Sequence, residues 1–235
     1  MRLAIMQPYI FPYLGYFQLI NSVDKFIFYD DVTYIKGGWI NRNNILLNGQ
    51  KYLFTIPLKK ISSYKKINEI EVSELPIGWD NKLINTFIQA YSKAPYFNSV
   101  FPLIENTLRD CGNLLISDLT KKSILSVLEY LNIEKNIEKS SGIYNNLDLK
   151  SQDRILDICK KEKAKVYINP SGGIDLYEKA VFKNNGLELF FINSSVNSYK
   201  QFNCNKFVDS LSIIDVLMFN SKIDILKMLK IYELS

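Results

Sequence analysis

Histidine is absent from the 235 residues of this chain. Its absence excludes Ser-His-Asp and Cys-His nucleophile systems, an imidazole general base and most zinc enzyme sites, because each needs a ring nitrogen that titrates near neutrality or binds metal. Acid–base chemistry must then use a carboxylate, a lysine, a tyrosine or the substrate itself. The sequence also shows no clustered carboxylates typical of a metal site, so we expect none.

Cysteine is scarce as well, and long apolar runs are missing. Cys111, Cys159 and Cys204 are too widely spaced for a disulfide framework or a Cys-x-x-Cys metal pair, and we expect them to be buried as small apolar side chains. No run of about 18 apolar residues occurs, and Pro8 interrupts the early apolar stretch. We therefore expect a cytoplasmic protein without membrane insertion.

What the chain does contain is ordinary for a globular protein, at 47% hydrophobic and 23% charged residues. Its 29 basic and 24 acidic residues give a net charge of +5. This mild excess favours anionic partners such as nucleotides, phosphosugars or RNA, but does not by itself identify nucleic-acid binding.

Hydrophobic periodicity predicts two β/α alternations on either side of a helical middle. The predicted strands are 3–6, 25–32, 51–58, 67–72, 165–170 and 187–192, and the predicted helices are 14–22, 78–94, 96–111, 113–133, 151–164, 172–186 and one or two in 211–233. We expect 51–58 and 67–72 to form a hairpin added to the sheet. The pattern predicts a single α/β domain over 1–235, with a mostly parallel sheet, a helical insertion at about 78–140 and C-terminal helices.

Ligands of open parallel sheets bind beyond the carboxyl ends of the strands, and three polar stretches are predicted there. The first is MQPYIFPYLGYFQLI, where Gly15 would allow close approach to a ligand. Gln7, Tyr9, Tyr13 and Tyr16 would place polar tips around a pocket. Aromatic packing at the edge of the core is the alternative interpretation.

The second stretch, YDDVTYIKGGWINRN, follows the second predicted strand. Asp30 and Asp31 alternate along it, so only one can face a given pocket, as a base or an anchor for an amine. Lys36 and Arg42 would bind phosphates. A solvated turn with surface ion pairs is the alternative.

The third stretch, YINPSGGIDLY, offers Asn169, Ser171 and Gly172 as an anion-binding turn at a helix N-terminus. It lacks a P-loop lysine and the spacing of a dinucleotide fingerprint, so a plain turn with a helix cap explains it equally well. Near the end of the chain, Ser212 and Asp215 have the spacing of a capping pair.

These stretches, with AYSKAPYF and LSIIDVLMFN, resemble the WbqC-like family over essentially the whole chain. The resemblance implies a role in bacterial O-antigen or other surface-polysaccharide synthesis, with transfer of an amino-acid-type acyl group, such as glycyl, to an amino sugar. FPYLGY is also similar to the His-x-Gly-His turn of nucleotidyltransferases and class I aminoacyl-tRNA synthetases, with Tyr13 and Tyr16 in place of the histidines. That likeness implies a nucleotidyltransferase/HUP-like sheet.

We interpret the chain as a transferase that forms an amide on a nucleotide-linked amino sugar. The donor would be an aminoacyl-tRNA or a thioester, as cyclodipeptide synthases on a similar scaffold use charged tRNA, and no added cofactor would be required. The predicted catalytic residues are Asp30, Asp31, Tyr13 and Tyr16, and the predicted substrate-binding residues are Gln7, Tyr9, Lys36, Asn41, Arg42, Asn169, Ser171 and Gly172. An ATP-dependent ligase or nucleotidyltransferase, or a non-catalytic sugar-nucleotide-binding partner, remains open.

Overall fold

A computed structural model describes residues 1–109, 111–202 and 206–235. Its main sheet has six strands in the order β5-β2-β1-β6-β7-β8, all parallel except the antiparallel pair β7–β8. The strands are β1 (Arg2–Met6), β2 (Lys25–Phe28), β5 (Asn136–Glu138), β6 (Val166–Pro170), β7 (Glu188–Ser194) and β8 (Tyr232–Leu234). The predicted α/β class with a mostly parallel sheet is confirmed, and the arrangement is of the Rossmann/HUP-like type.

The strand order reverses direction between β1 and β6. From β1 the chain adds β2 and β5 on one side, and then β6, β7 and β8 on the other. The loops that leave β1 and β6 therefore diverge from adjacent strands, which opens a crevice between them at their carboxyl ends. This is the position that the sheet topology itself provides for a ligand.

Helices cover both faces of the sheet. They are α1 (Leu14–Ser22), α2 (Trp79–Tyr91), α3 (Phe97–Leu108), α4 (Ile116–Tyr130), α5 (Ser151–Lys161), α6 (Lys179–Asn184), α7 (Ile213–Phe219) and α8 (Lys222–Met228). Alternate residues of β1 join different cores: Ala4 joins the larger core with the helical middle, and Leu3 and Ile5 join a smaller one with α5 and α6. The alternation follows from the period of two in a strand.

The hairpin is the main departure from the predicted elements. It consists of β3 (Arg42–Leu47) and β4 (Gln50–Thr55), which form a separate two-stranded sheet. Asn48 and Gly49 connect them with φ of 52° and 77°, the left-handed pair that a two-residue hairpin turn needs. The predicted pairing of 51–58 with 67–72 is wrong, because 67–69 is a short 3-10 helix and only Leu58 and Val72 form a bridge.

Other elements agree with the sequence except at short edges and in the predicted helix 172–186. There a 3-10 helix (Ser171–Leu176) and α6 (Lys179–Asn184) are separated by Tyr177, whose backbone is extended. The three predicted helices of the middle are α2, α3 and α4, whereas β5 and β8, each of three residues, were not predicted. Cys111 and Cys159 are buried as expected, and Cys204 lies outside the described residues. In the part of the chain that the structure describes, no helix has the length and apolarity needed to cross a bilayer.

Candidate functional site

A cleft of about 730 Å³ lies at the carboxyl ends of β1, β6 and β7, over the point where the strand order reverses. Residues from all three predicted stretches line it, among them Gln7, Tyr13, Trp39 and Ser171. The volume is within the usual range for a small-molecule site. The expectation that the loops after residues 6, 30 and 169 gather at one edge of the sheet is therefore met.

The opening stretch forms a turn that the rest of the chain holds in place. Phe11 has a φ of 40°, a strained conformation for a bulky residue, and its side chain is fully buried. Its backbone N–H donates to Ser123 Oγ at 3.0 Å, and its carbonyl accepts from Ser212 Oγ at 2.7 Å and Asn43 Nδ2 at 2.8 Å. Side chains from the hairpin, α4 and the start of α7 thus converge on the backbone of Phe11 and fix the turn above the cleft.

Gly15 is explained by the close approach of α1 to β7. A Cβ atom at this position would clash with Ser194 Oγ and the Tyr13 ring, and would lie 2.8 Å from Ser194 Cβ. Tyr13, Gly15 and Ser194 all line the cleft. Glycine here lets the helix N-terminus reach the end of the strand, a reason that differs from the predicted close approach to a ligand.

Tyrosine hydroxyls dominate the polar surface of the cleft. Burial raises the pKa of Tyr9 to about 12, and burial also raises the pKa values of Tyr13, Tyr29 and Tyr177. These side chains are protonated at neutral pH, so they donate hydrogen bonds rather than act as bases. Of the described residues that line the cleft, none is acidic or basic.

A second cavity of about 210 Å³ adjoins the cleft. Tyr9, Tyr13 and Trp39 line both spaces and separate them. Asn43 lines the smaller space but its amide is already bonded to the Phe11 carbonyl. Two adjoining compartments with shared aromatic walls can hold two chemical groups side by side.

The two aspartates do not line the cleft. Asp30 is 1% exposed and pairs with Lys121 at 2.5 Å, and Asp31 is 4% exposed and pairs with Arg154 at 2.6 Å. Ser140 donates to Asp30 and Ser141 to Asp31. Both residues lie beyond Phe28, the last residue of β2, and their carboxylates pair with different helices, α4 and α5, so that each is committed to a buried ion pair. This geometry gives no support to the predicted role of either as a general base.

Tyr16 and Asn41 are also engaged in internal contacts. Tyr16 is 2% exposed and donates its hydroxyl to the Gln7 backbone carbonyl at 2.9 Å. Asn41 accepts from the Tyr34 hydroxyl at 2.8 Å and donates to the Ile56 carbonyl at 2.7 Å. Both residues shape the loops around the cleft, and the structure does not bring their side chains into it.

The predicted phosphate ligands lie at the rim. Lys36 is exposed and follows Ile35, a cleft residue. Arg42 is partly buried, donates from Nε to the Gly38 carbonyl at 3.0 Å, and lies 5.6 Å from the centre of the Trp39 ring. Neither cation lines the cleft itself, but both flank its mouth.

The third stretch supplies the opposite wall. Asn169, Ser171 and Gly172 all line the cleft, as do Gln7 and Tyr9 of the first stretch. Asn169 Oδ1 accepts from the Tyr167 hydroxyl at 3.1 Å. The Gln7 side-chain amide has no hydrogen-bonding partner among the described residues.

Several further cleft residues were not predicted, among them Tyr29, Trp39, Tyr177 and Ser194. The first three stood within the quoted stretches, where their aromatic character was an available signal. Ser194 gave no such signal, because it belongs to a strand whose end was predicted two residues too early.

Comparison with known proteins gives one curated relative, an uncharacterized protein, Rv1507c, of Mycobacterium tuberculosis. It is 27% identical over 221 residues, which cover 93% of each chain. No solved structure matches. The WbqC-like protein family model matches residues 7–226 and so spans the turn, the hairpin, both walls of the cleft and α7. The chain belongs to the WbqC-like protein family.

Proposed function

We propose that the cleft binds a nucleotide-linked amino sugar and that the protein transfers an aminoacyl group, such as glycyl, to the sugar amine. The reaction would serve surface-polysaccharide synthesis in the cytoplasm, the context implied by the WbqC-like resemblance. The observation that carries the proposal is the cleft at the reversal point of the sheet, lined by aromatic rings, hydroxyls and amides without a charged side chain among its described residues.

Such a lining suits a sugar. A sugar ring presents apolar C–H faces to aromatic rings and hydroxyls to amides and phenols, and it needs no ionised partner. Gln7 supplies an unpartnered amide, and Tyr9 and Tyr13 supply phenols held in the protonated state by burial. Lys36 and Arg42, at the rim, would face the diphosphate outside the neutral cleft.

The two compartments suit a transfer between two groups. We assign the larger one to the sugar and the smaller one, about 210 Å³, to the acyl group. The amine nitrogen attacks the acyl carbonyl, the C–N bond forms, and the ester C–O or thioester C–S bond breaks. The proton lost by the amine passes to the departing oxygen or sulfur. Tyr13, shared by both compartments, would donate a hydrogen bond to the oxyanion that develops on the carbonyl.

A direct assay combines a panel of nucleoside-diphosphate amino sugars with glycyl-tRNA or a glycyl thioester, with mass spectrometry of the amide product. Because none of the described residues that line the cleft is a carboxylate, the amine must arrive unprotonated, so the rate should rise with pH and level off above the amine pKa. Tyr13→Phe should lower the rate about tenfold, the equivalent of one hydrogen bond of about 1.4 kcal/mol. Tyr130→Phe, on α4 and outside the cleft, is the matched control.

The same assay tests the alternatives. Amide formation that needs ATP would favour the ligase, with the triphosphate then facing Lys36 and Arg42 at the rim. Tight binding of the amino-sugar nucleotide with no product from either donor would favour a non-catalytic binding protein, which the lack of an acidic or basic side chain among the described cleft residues also supports. If no amino-sugar nucleotide binds, the proposed substrate class is wrong.

A further inference from the structure

The positive charge of the chain is concentrated in one segment. Residues 32–68 contain seven basic residues and no acidic one, namely Lys36, Arg42, Lys51, Lys59, Lys60, Lys65 and Lys66. The whole chain carries +5, so the segment's +7 leaves the remainder of the chain with a net −2. The basic segment, as we call residues 32–68, therefore accounts for the net positive charge of the protein, although 22 of the 29 basic residues lie elsewhere.

Most of this charge is not neutralised within the fold. Lys51 pairs with Asp209 at 3.2 Å and Lys59 with Glu71 at 3.3 Å. The other five cations of the basic segment form no ion pair with any described residue. Five uncompensated cations on one continuous segment create a positive potential that attracts a polyanion.

The basic segment lies directly beside the mouth of the cleft. Ile35 and Trp39 line the cleft. The Tyr34 N–H donates to the Lys65 carbonyl at 2.9 Å, and Thr33 and Lys66 form a bridge. Lys65 and Lys66 therefore lie alongside residues 33–34, which lead into the cleft wall at Ile35.

Aromatic side chains alternate with these cations and remain exposed. Trp39 is 49% exposed at the cleft mouth, and Tyr64 is 94% exposed between Lys60 and Lys65. Exposed aromatic faces among lysines provide stacking platforms for bases, with phosphates bound by the neighbouring cations.

We propose that the basic segment binds RNA, with phosphates on Lys60, Lys65 and Lys66, with the single-stranded 3′ end stacked on Trp39 and with its acyl group in the smaller compartment that Trp39 also lines. This inference rests on the proposed function, because it identifies the acyl donor as an aminoacyl ester on an RNA 3′ end. A strand end can enter a concave cleft walled by Trp39, whereas the flat surface of an anionic bilayer cannot. The geometry therefore favours RNA over a membrane.

The test is fluorescence anisotropy with a labelled RNA hairpin that carries a single-stranded 3′ tail, beside a blunt hairpin. Lys65→Glu/Lys66→Glu should weaken binding tenfold or more near physiological salt and reduce the salt slope by about 1.4, at about 0.7 per phosphate contact in a single strand. Lys163→Glu/Lys165→Glu makes the same charge change on exposed residues that precede β6, at the opposite edge of the sheet, and should change affinity less than twofold.

Trp39→Ala should weaken binding of the tailed hairpin at least fivefold and leave the blunt hairpin unaffected, since stacking of a base on an aromatic ring is lost only with the tail. The inference is overturned if both charge-reversal pairs have equal effects, or if tailed and blunt hairpins bind alike. It is also overturned if phosphatidylserine vesicles, but not RNA, bind in a Lys65- and Lys66-dependent way.

The outcomes separate this inference from the proposed function. If a glycyl thioester supports amide formation and neither hairpin binds, the RNA surface is wrong and the transferase stands. If the tailed hairpin binds, its binding weakens as expected in the variants, and no amino-sugar nucleotide binds, the RNA-binding inference is supported and the proposed transferase function is wrong.

Discussion

Gly15 occupies the second position of α1 and faces the end of β7. We expect Gly15→Ala to destabilise the protein, although alanine is the better helix former. The gain from helix propensity is about 0.5–1 kcal/mol, and forcing a methyl group into a packed contact costs about 1–3 kcal/mol. Since Ser194 Cβ lies 2.8 Å from the new atom and belongs to a sheet strand, rotation of a side chain cannot relieve the contact. Gly15→Ala should therefore lower the free energy of unfolding by about 1 kcal/mol.

A loss of this size corresponds to a decrease of about 2–4 °C in the melting temperature of a chain of this length. Gly172→Ala is the matched control in the same cleft, because nothing lies within 4 Å of its added Cβ and its φ lies outside the left-handed region. That variant should be neutral or stabilised by about 0.4–1 kcal/mol.

Calorimetry or chemical denaturation of both variants tests the reasoning. Ser194→Gly removes both Ser194 atoms that meet the new methyl group, so it should recover part of the Gly15→Ala loss in a double-mutant cycle. The clash also displaces Tyr13, a cleft residue, so Gly15→Ala should lower the affinity for a ligand as well as the stability of the fold. If Gly15→Ala is as stable as Gly172→Ala, the close approach of α1 to β7 is not real.

Two further predictions concern buried carboxylates. Asp31→Asn leaves the Arg154 guanidinium buried without its charge partner and should lower the free energy of unfolding by about 3–5 kcal/mol. Asp209→Asn, the control in an exposed ion pair, should change the free energy of unfolding by at most about 1 kcal/mol. Similar losses for both variants in urea denaturation would contradict this prediction. Burial raises the pKa of Asp215 above 3.8, so the folded state holds this proton more tightly than the unfolded state. The stability that protonated Asp215 contributes is therefore present at low pH and is lost as pH rises from about 4 through the folded pKa. Over that pH range, the free energy of unfolding of Asp215→Asn should rise relative to that of the wild type. A difference in free energy of unfolding that stays constant with pH would refute this prediction.

The elements that the sequence predicted correctly have a clear local pattern. The helices of the middle repeat their apolar positions over three or more turns, and the parallel strands are short apolar runs bounded by polar loops. The hairpin was missed although Asn48 and Gly49 are the strongest short-range signal of such a turn. Arg42, Asn43 and Asn44 open β3 with polar side chains, so the strand looked like a loop.

The location of the cleft was predictable from the sequence, whereas the side chains that line it were only partly so. The rule that ligands bind beyond the carboxyl ends of parallel strands needs only the strand order along the chain, and it led to the cleft. Whether Asp30 and Asp31 face the cleft or form buried ion pairs depends on partners that lie far away in sequence. Lys121 is 91 residues from Asp30, and Arg154 is 123 residues from Asp31. No local pattern identifies which distant helix will approach.

The buried ion pair of Asp31 and Arg154 supports the wall of the cleft without lining it. The Arg154 guanidinium that pairs with Asp31 also lies 4.9 Å from the centre of the Tyr29 ring, and Tyr29 lines the cleft. Arg154 is held further by the Asn146 side chain, which accepts from its Nε at 2.9 Å. A guanidinium fixed on two sides provides a rigid support for the face of the aromatic ring. The acidic pair at the end of β2 thus joins α4 and α5 to the cleft wall, and the orientation of Tyr29 depends on charges that no ligand in the cleft would touch.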